Sequence, residues 1–329
     1  MPEDRIKLAS LPAAAAPSSS RQLAHSVRDR AVLSVFSLAA WLVLLVVAAL
    51  FVSLALAAWP AVKTVGWQAI HTVEWDPNSG KFGVLSFVYG TVVTSLIALV
   101  LAAPVGLGAA LLLAEIAPRR VADPVAMLIE LLAAVPSVVF GIWGLFVLAP
   151  VMRSAVEPVL AHSLSFLPIF QGNFYGTGYL TAGVLLAIMI LPTVTAIARD
   201  IFGAVPREQR EAMLALGATK WEMLTRAVIP YARSGIIGAL VLALGRALGE
   251  AMAVVMVIGN KPAISASLFA PGYTMAAVLA NEFTEATGQD YIAVLIGVGS
   301  LLFILSIVVN IVARVLVWSV TNRLRGART

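Results

Sequence analysis

The 329-residue chain is 60% hydrophobic and 12% charged, with a net charge of +5, a mean hydropathy of +0.96 and a pI near 9.7. An ordinary soluble domain does not carry that balance, so the chain belongs in a bilayer. Cysteine is absent, which removes disulfide frameworks and thiolate metal sites, and His25, His71 and His162 are scattered without metal-ligand spacing; no cofactor is expected.

Residues 1–30 are polar, include the run Ala13 to Ala16 and the triplet Ser18 to Ser20, and read as a disordered cytosolic tail. Ala31 to Ala58 is an apolar run well beyond the ~7 to 15 residues of a signal-peptide core, and no polar body follows a cleavage site. It is expected as a retained first span. Runs near the ~20 residues needed to cross the hydrocarbon core recur at about 85–113, 125–150, 179–198, 235–258 and 291–318. The expectation is an all-α polytopic membrane protein with six transmembrane helices within residues 31–320 and a short cytosolic tail over 321–329.

Six spans put both termini on one side. The tails, together with the connections 114–124 and 199–234, hold sixteen Lys and Arg residues. The opposite face, 59–84, 151–178 and 259–290, holds four: Lys63, Lys81, Arg153 and Lys261. That asymmetry places both termini in the cytosol. The high pI is therefore a topology signal and requires no nucleic-acid partner.

Small residues recur where helices would touch: Gly90, Ala98, Ala102, Gly106 and Ala109 in the second span, and Gly235, Ala239, Ala243 and Ala247 in the fifth. Pro104, Pro136 and Pro192 are expected to interrupt the second, third and fourth spans, either to improve packing or beside a solute path.

The connection 199–234 is longer than a simple turn and is patterned. Pro206 suits the start of a helix, Glu208 and Glu211 favour its positive end, and Gly217 is placed to close it in a left-handed turn. Thr219 followed by Glu222 is a capping-box spacing; Trp221, Leu224 and Val228 would then share one face, and Pro230 would stop the second helix before the fifth span. A DNA-binding helix-turn-helix fits badly, because both ends are membrane-anchored and the loop mixes acidic and basic residues without a basic stripe. A loop that only lies on the membrane surface and a loop that docks a partner both remain open on these grounds.

Glu211, Ala212, Gly217, Ile229 and Pro230 fall on the spacing of the EAA loop, and the segment resembles that of ABC importer permeases. Met213 stands where that family usually has a second alanine, and Ile229 where it usually has leucine. The resemblance implies that these residues couple the chain to a separate ATPase subunit. Consistently, the chain has no G-x-x-x-x-G-K-[ST] phosphate loop; its one Gly-Lys pair, Gly80-Lys81, is followed by Phe82. No zincin pattern, nucleophile elbow or polar catalytic cluster is present, so the chain is not expected to be an enzyme.

The fifth span carries Arg246 and Glu250. On a continuous helix they lie four residues apart on one face, and a charge at such a depth costs at least ~2.5 kcal/mol. Two readings stand: a packing ion pair, or a path-lining pair in which Arg246 attracts an anion. Glu130 and Arg314 lie near the cytosolic ends of their spans, within reach of water.

The run from Ala243 to Asn260, with Ala134 to Pro150 and Pro271 to Glu285, is similar to the PstC-like permease family of ABC phosphate importers. Sulfate and molybdate permeases share Arg-x-x-Gly-Glu but typically continue with Phe-Gly, where this chain has Ala251-Met252. The resemblance implies a type I (MetI-like) permease fold and a phosphate path through Arg246 and Glu250. It also implies a second, PstA-like permease, two PstB-like ATPase subunits and a periplasmic or lipid-tethered PstS-like phosphate-binding protein. A permease for another oxyanion, and a channel or ion-coupled carrier working alone, are the alternatives.

Overall fold

The computed structural model describes residues 19–325. Helix α1, Ser19–Thr64, reaches back into the segment expected as a tail, and the remainder of that segment lies outside the described residues. Up to Ser53 the chain forms one unit, in which every described side chain from Val32 onward is exposed, Trp41 and Leu38 among them. A helix that is apolar on all sides and exposed on all sides is matched to lipid.

The second unit, from Leu54, contains the other five spanning helices. They are α2 (Leu85–Ile116), α4 (Ser137–Ser163), α5 (Tyr179–Gly203), α7 (Lys220–Leu248) and α10 (Gln289–Arg325), the last apolar enough to span over Gln289–Val315. Three shorter helices accompany them: α3 (Arg119–Ala133), α6 (Arg207–Ala215) and α8 (Met252–Val257), and a further one, α9 (Met275–Glu282), covers the outer side. With the N-terminal span, Val32–Lys63, six helices are long and apolar enough to cross a membrane.

The unit is centred on α5, which is buried along most of its length and packs chiefly against α2. Close approach is what the small residues provide: a Cβ on Gly183 would fall 2.5 Å from Ile97 Cγ2, and one on Gly106 would fall 2.8 Å from Val194 Cγ1. Gly90, Ala98, Ala102, Ala239, Ala243 and Ala247 are buried, as their spacing predicts, and Ala109 and Gly235 are half-buried. Because lipid is as apolar as Leu, such contacts depend on fit between surfaces.

Two spans differ from the sequence expectation. Residues 125–133 belong to α3, an amphipathic helix that buries only Ala122 and Ala126 and exposes Asp123, Met127 and Glu130. It ends before Pro136, whose ring disfavours helical geometry at Val135. The third span starts at Ser137 and runs to Ser163, so Pro136 precedes this span, whereas Pro104 and Pro192 do lie inside theirs. The apolar run Leu131 to Val135 had joined the two helices in a hydropathy window.

The fifth span also starts earlier, at Lys220, since Pro230 does not stop the helix. The turn Leu224–Val228 is widened, with Ile229 N–H donating to Leu224 O across five residues. The same wide turn occurs at Leu112–Ile116, Gly144–Leu148 and Met152–Val156. Each ends two residues before a proline: Pro118, Pro150, Pro158 and Pro230. A proline ring collides with the carbonyl four residues back and offers no N–H; a widened turn relieves that crowding and the helix continues through Pro150, Pro158 and Pro230, whereas α2 ends at Ile116, before Pro118.

On the outer side, strands β1 (Trp75–Asp76) and β2 (Lys81–Phe82) form a short antiparallel hairpin. Ser79 donates to Asp76 and holds that carboxyl below its usual range, and Glu74 beside Lys81 raises the ammonium. Trp75 Nε1 and Tyr291 OH both donate to Glu282 Oε2, at 2.9 and 2.6 Å, which ties the hairpin to α9 and α10. Between α8 and α9 the chain is irregular yet buries Phe269 and Tyr273. Its polar backbone finds partners inside the protein: Gly272 N–H donates to Ile258 O, Tyr89 OH to Ser265 O and Tyr179 OH to Ala263 O.

Candidate functional site

The loop between α5 and α7 has the local geometry that its sequence dictates. Pro206 precedes α6, and Glu208 lies in the first turn. After Ala215 the chain closes in a Schellman turn, with Gly217 N–H donating to Leu214 O at 3.0 Å and Ala218 N–H to Met213 O at 3.1 Å. Gly217 has φ +81°, the left-handed region that an L side chain rarely adopts. Thr219 and Glu222 form the reciprocal capping box, Thr219 Oγ1 accepting from Glu222 N–H at 3.3 Å and Glu222 Oε2 accepting from Thr219 N–H at 3.0 Å.

The expected shared face of this second helix is corrected. Leu224 and Val228 are buried with Met223 against Phe202, Val205, Ala198 and Ala110, whereas Trp221 is 67% exposed. Glu211, Ala212 and Gly217 are exposed as well, beside exposed Leu214 and Leu216. Ile229 is half-buried against the same cluster and Pro230 sits on the span itself. The motif thus divides into an outward half, Glu211 to Trp221, and a half that roots it in α7.

One part of the loop carried no sequence signal. Arg210 Nε donates to both carboxylate oxygens of Glu115 at 3.1 Å each, Nη2 donates to Phe202 O at 2.8 Å, and Nη1 donates to Val205 O. The side chains of Arg210 and Glu115 are only 18% and 6% exposed. In the sequence Arg210 counted among cytosolic basic residues, and Glu115 was an acid at the end of an apolar run. Nothing in their spacing, 95 residues apart, pairs them.

Arg246 and Glu250 are near each other in the chain but not on one helix. Helix α7 ends at Leu248, Gly249 leaves the helix at φ −92° and ψ 0°, and α8 begins at Met252. Arg246 lies in the last turn of α7, where a cation suits the negative end of the helix. It is exposed, and its Nη1 lies 3.4 Å from Thr193 Oγ1. Thr193 is near the middle of α5, so the guanidinium is at mid-depth of that span. Glu250 is half-buried, and its Oε1 accepts from Ala253 N–H at 3.3 Å in the first turn of α8. None of the ion pairs found among the described residues joins Arg246 to Glu250, so the reading as a mutual packing pair has no support. A helix interrupted at mid-depth beside a cation is an arrangement that membrane proteins tolerate where backbone lines a cavity.

Six apolar helices, one of them broken at mid-depth beside an arginine, and a capped helical loop on the basic side define the class as a polytopic membrane permease. The chain belongs to the family of binding-protein-dependent transport system inner membrane components, whose family model matches residues 102–322. It is 44% identical over 289 residues to the phosphate transport system permease protein PstC of Mesorhizobium japonicum, covering 87% of this chain and 88% of that protein. Over 252 residues it is 46% identical to PstC of Xylella fastidiosa strain Temecula1, covering 75% and 78%. Over 239 residues it is 38% identical to the probable phosphate transport system permease protein PstC of Methanocaldococcus jannaschii, covering 72% and 76%. Its fold matches a chain of the MetNI methionine ABC transporter in an inward-facing conformation, with a TM-score of 0.56, 17% identity, and 72% of this chain and 95% of that one covered. At that identity the likeness concerns the fold alone, which is MetI-like.

Proposed function

We propose that this chain is the transmembrane permease subunit of an ATP-driven phosphate importer, with Arg246 and Glu250 on the translocation path. The observation that carries the reading is the interrupted helix, which leaves an exposed guanidinium at mid-depth on a chain that closely resembles phosphate permeases. A cation there attracts a phosphate dianion, and Thr193 adds a hydroxyl within reach of the same guanidinium. Glu250, held by Ala253 N–H, faces the same break and opposes anion retention, which favours release over tight binding.

The remaining parts follow from the division of labour. Residues 1–30 and 321–329 are the cytosolic tails, 31–320 the transmembrane domain and 199–234 its coupling loop. Glu211, Ala212 and Gly217, with exposed Leu214, Leu216 and Trp221, face a PstB-like ATPase subunit, while Ile229 and Pro230 join that surface to α7. A PstA-like permease completes the path, a second PstB-like subunit serves that permease, and a PstS-like binding protein delivers phosphate from outside. ATP-driven closure of the ATPase pair draws the loops together and exposes the path to the outside; hydrolysis resets it.

The test is uptake of labelled phosphate by vesicles that contain the chain with its permease, ATPase and binding-protein partners. Uptake should require ATP and each partner and resist competition by excess sulfate. Uptake without ATP would sink the importer reading, and equal competition by sulfate would sink the assignment of cargo.

A further inference from the structure

We propose that the Arg210–Glu115 pair is the tie through which movement of the coupling helix reaches the translocation path; this rests on the reading of 199–234 as the loop that docks an ATPase. Of the nine residues of α6, only Arg210 and Met213 are not exposed. A force applied to that helix by a docked subunit therefore enters the membrane domain through two side chains and through the chain at either end. Met213 makes an apolar contact that can slide. Arg210 cannot, since its guanidinium is shared among the Glu115 carboxylate, Phe202 O and Val205 O.

Those acceptors come from two different spans. Glu115 lies in the last, widened turn of α2, Phe202 lies in the last turn of α5 and Val205 just beyond its end. Arginine is suited to such a junction: its planar fork meets a carboxylate with two parallel bonds and still has donors for the carbonyls at a helix C-terminus. The two spans it joins are also the most closely packed pair, locked by Gly183 on Ile97 and Gly106 on Val194. They move as one body, and α5 carries Thr193, the residue that touches Arg246. A continuous physical route thus runs from α6 through Arg210 to α2 and α5 and on to the guanidinium at mid-depth. Buried ion pairs are poor sources of net stability, and in some proteins they serve instead to fix one arrangement over others. Arg210 and Glu115 are positioning residues, and neither touches the solute in this scheme.

The test uses the complete transporter in proteoliposomes, with three readouts: ATPase subunits retained on the complex, ATP hydrolysed, and phosphate taken up per ATP. Glu115→Gln and Arg210→Gln should keep the ATPase subunits and sustain hydrolysis while uptake per ATP falls about tenfold, within the usual range of coupling between sites. Arg210→Lys, which keeps the charge but not the fork, should fall between these variants and the native chain. This chain has no cysteine of its own, so the double variant Glu115→Cys/Arg210→Cys can be joined by a short bifunctional thiol reagent, and uptake per ATP should recover once joined. Unchanged uptake per ATP in Glu115→Gln would overturn the proposal. So would loss of the ATPase subunits from that variant, since the pair would then merely shape the docking surface. Failure of the native chain to retain any ATPase subunit would remove the coupling reading itself, a distinct result.

Discussion

Arg246 carries its charge at a depth where an unsupported cation costs at least ~2.5 kcal/mol, and its one described hydrogen bond is a long one to Thr193. A side chain fixed so loosely is available to an incoming anion. Arg246→Gln should therefore lower phosphate uptake by ~100-fold or more, since a charge-assisted bond of about 1.5–3 kcal/mol and the attraction of the anion into the path are both lost. Assembly with the partner subunits should be intact, because the residue is exposed. Normal uptake by an assembled mutant would take Arg246 off the path. Sequence alone made both charges conspicuous, because they interrupt an apolar run. It could not place them relative to each other, since a Gly249-Glu250-Ala251 step reads equally well as helix. Arg210 shows the opposite failure: its partner is distant in the chain, so only the fold brings the two together.

At the scale of elements, the spans were legible wherever composition and amphipathicity agreed. Helices α2 and α5 begin where expected because Leu85 and Tyr179 follow polar or glycine-rich chain. The third span was displaced because α3 is amphipathic and its apolar face runs into the next helix. The fifth begins earlier than its apolar run implies, because proline reads in sequence as a helix stop, whereas the wide turns before Pro150, Pro158 and Pro230 accommodate it within a helix. The tight α2–α5 contact makes its own prediction. Gly183→Val would push a branched side chain into Ile97, whose Cγ2 already lies 2.5 Å from the position of an added Cβ. Overpacking of this kind costs roughly 1–3 kcal/mol, so the variant should unfold at a lower temperature in detergent while Gly217→Ala, in open space but at positive φ, loses less. An unchanged melting temperature for Gly183→Val would mean that the two spans yield readily.

For the whole molecule, the arrangement of charges sets sidedness, and the absence of cysteine makes it directly measurable. A membrane-impermeant thiol reagent should label Gln209→Cys only from the cytosolic side and Glu285→Cys only from the outside, both positions being exposed. Labelling of both from one side would invalidate the six-span topology. The widened turn at Leu224–Val228 has a further consequence at this scale. It amounts to one surplus residue in the rod that joins the loop to the fifth span, and each residue turns a helix by about 100°. The compass bearing of Trp221 relative to the face that α7 buries is set by that surplus, so deleting a single residue there would swing the docking edge around the axis while leaving every span in place. Proline at position 230 thus acts as a phase-setter, keeping what the loop shows to a partner aligned with what the span shows to its neighbours.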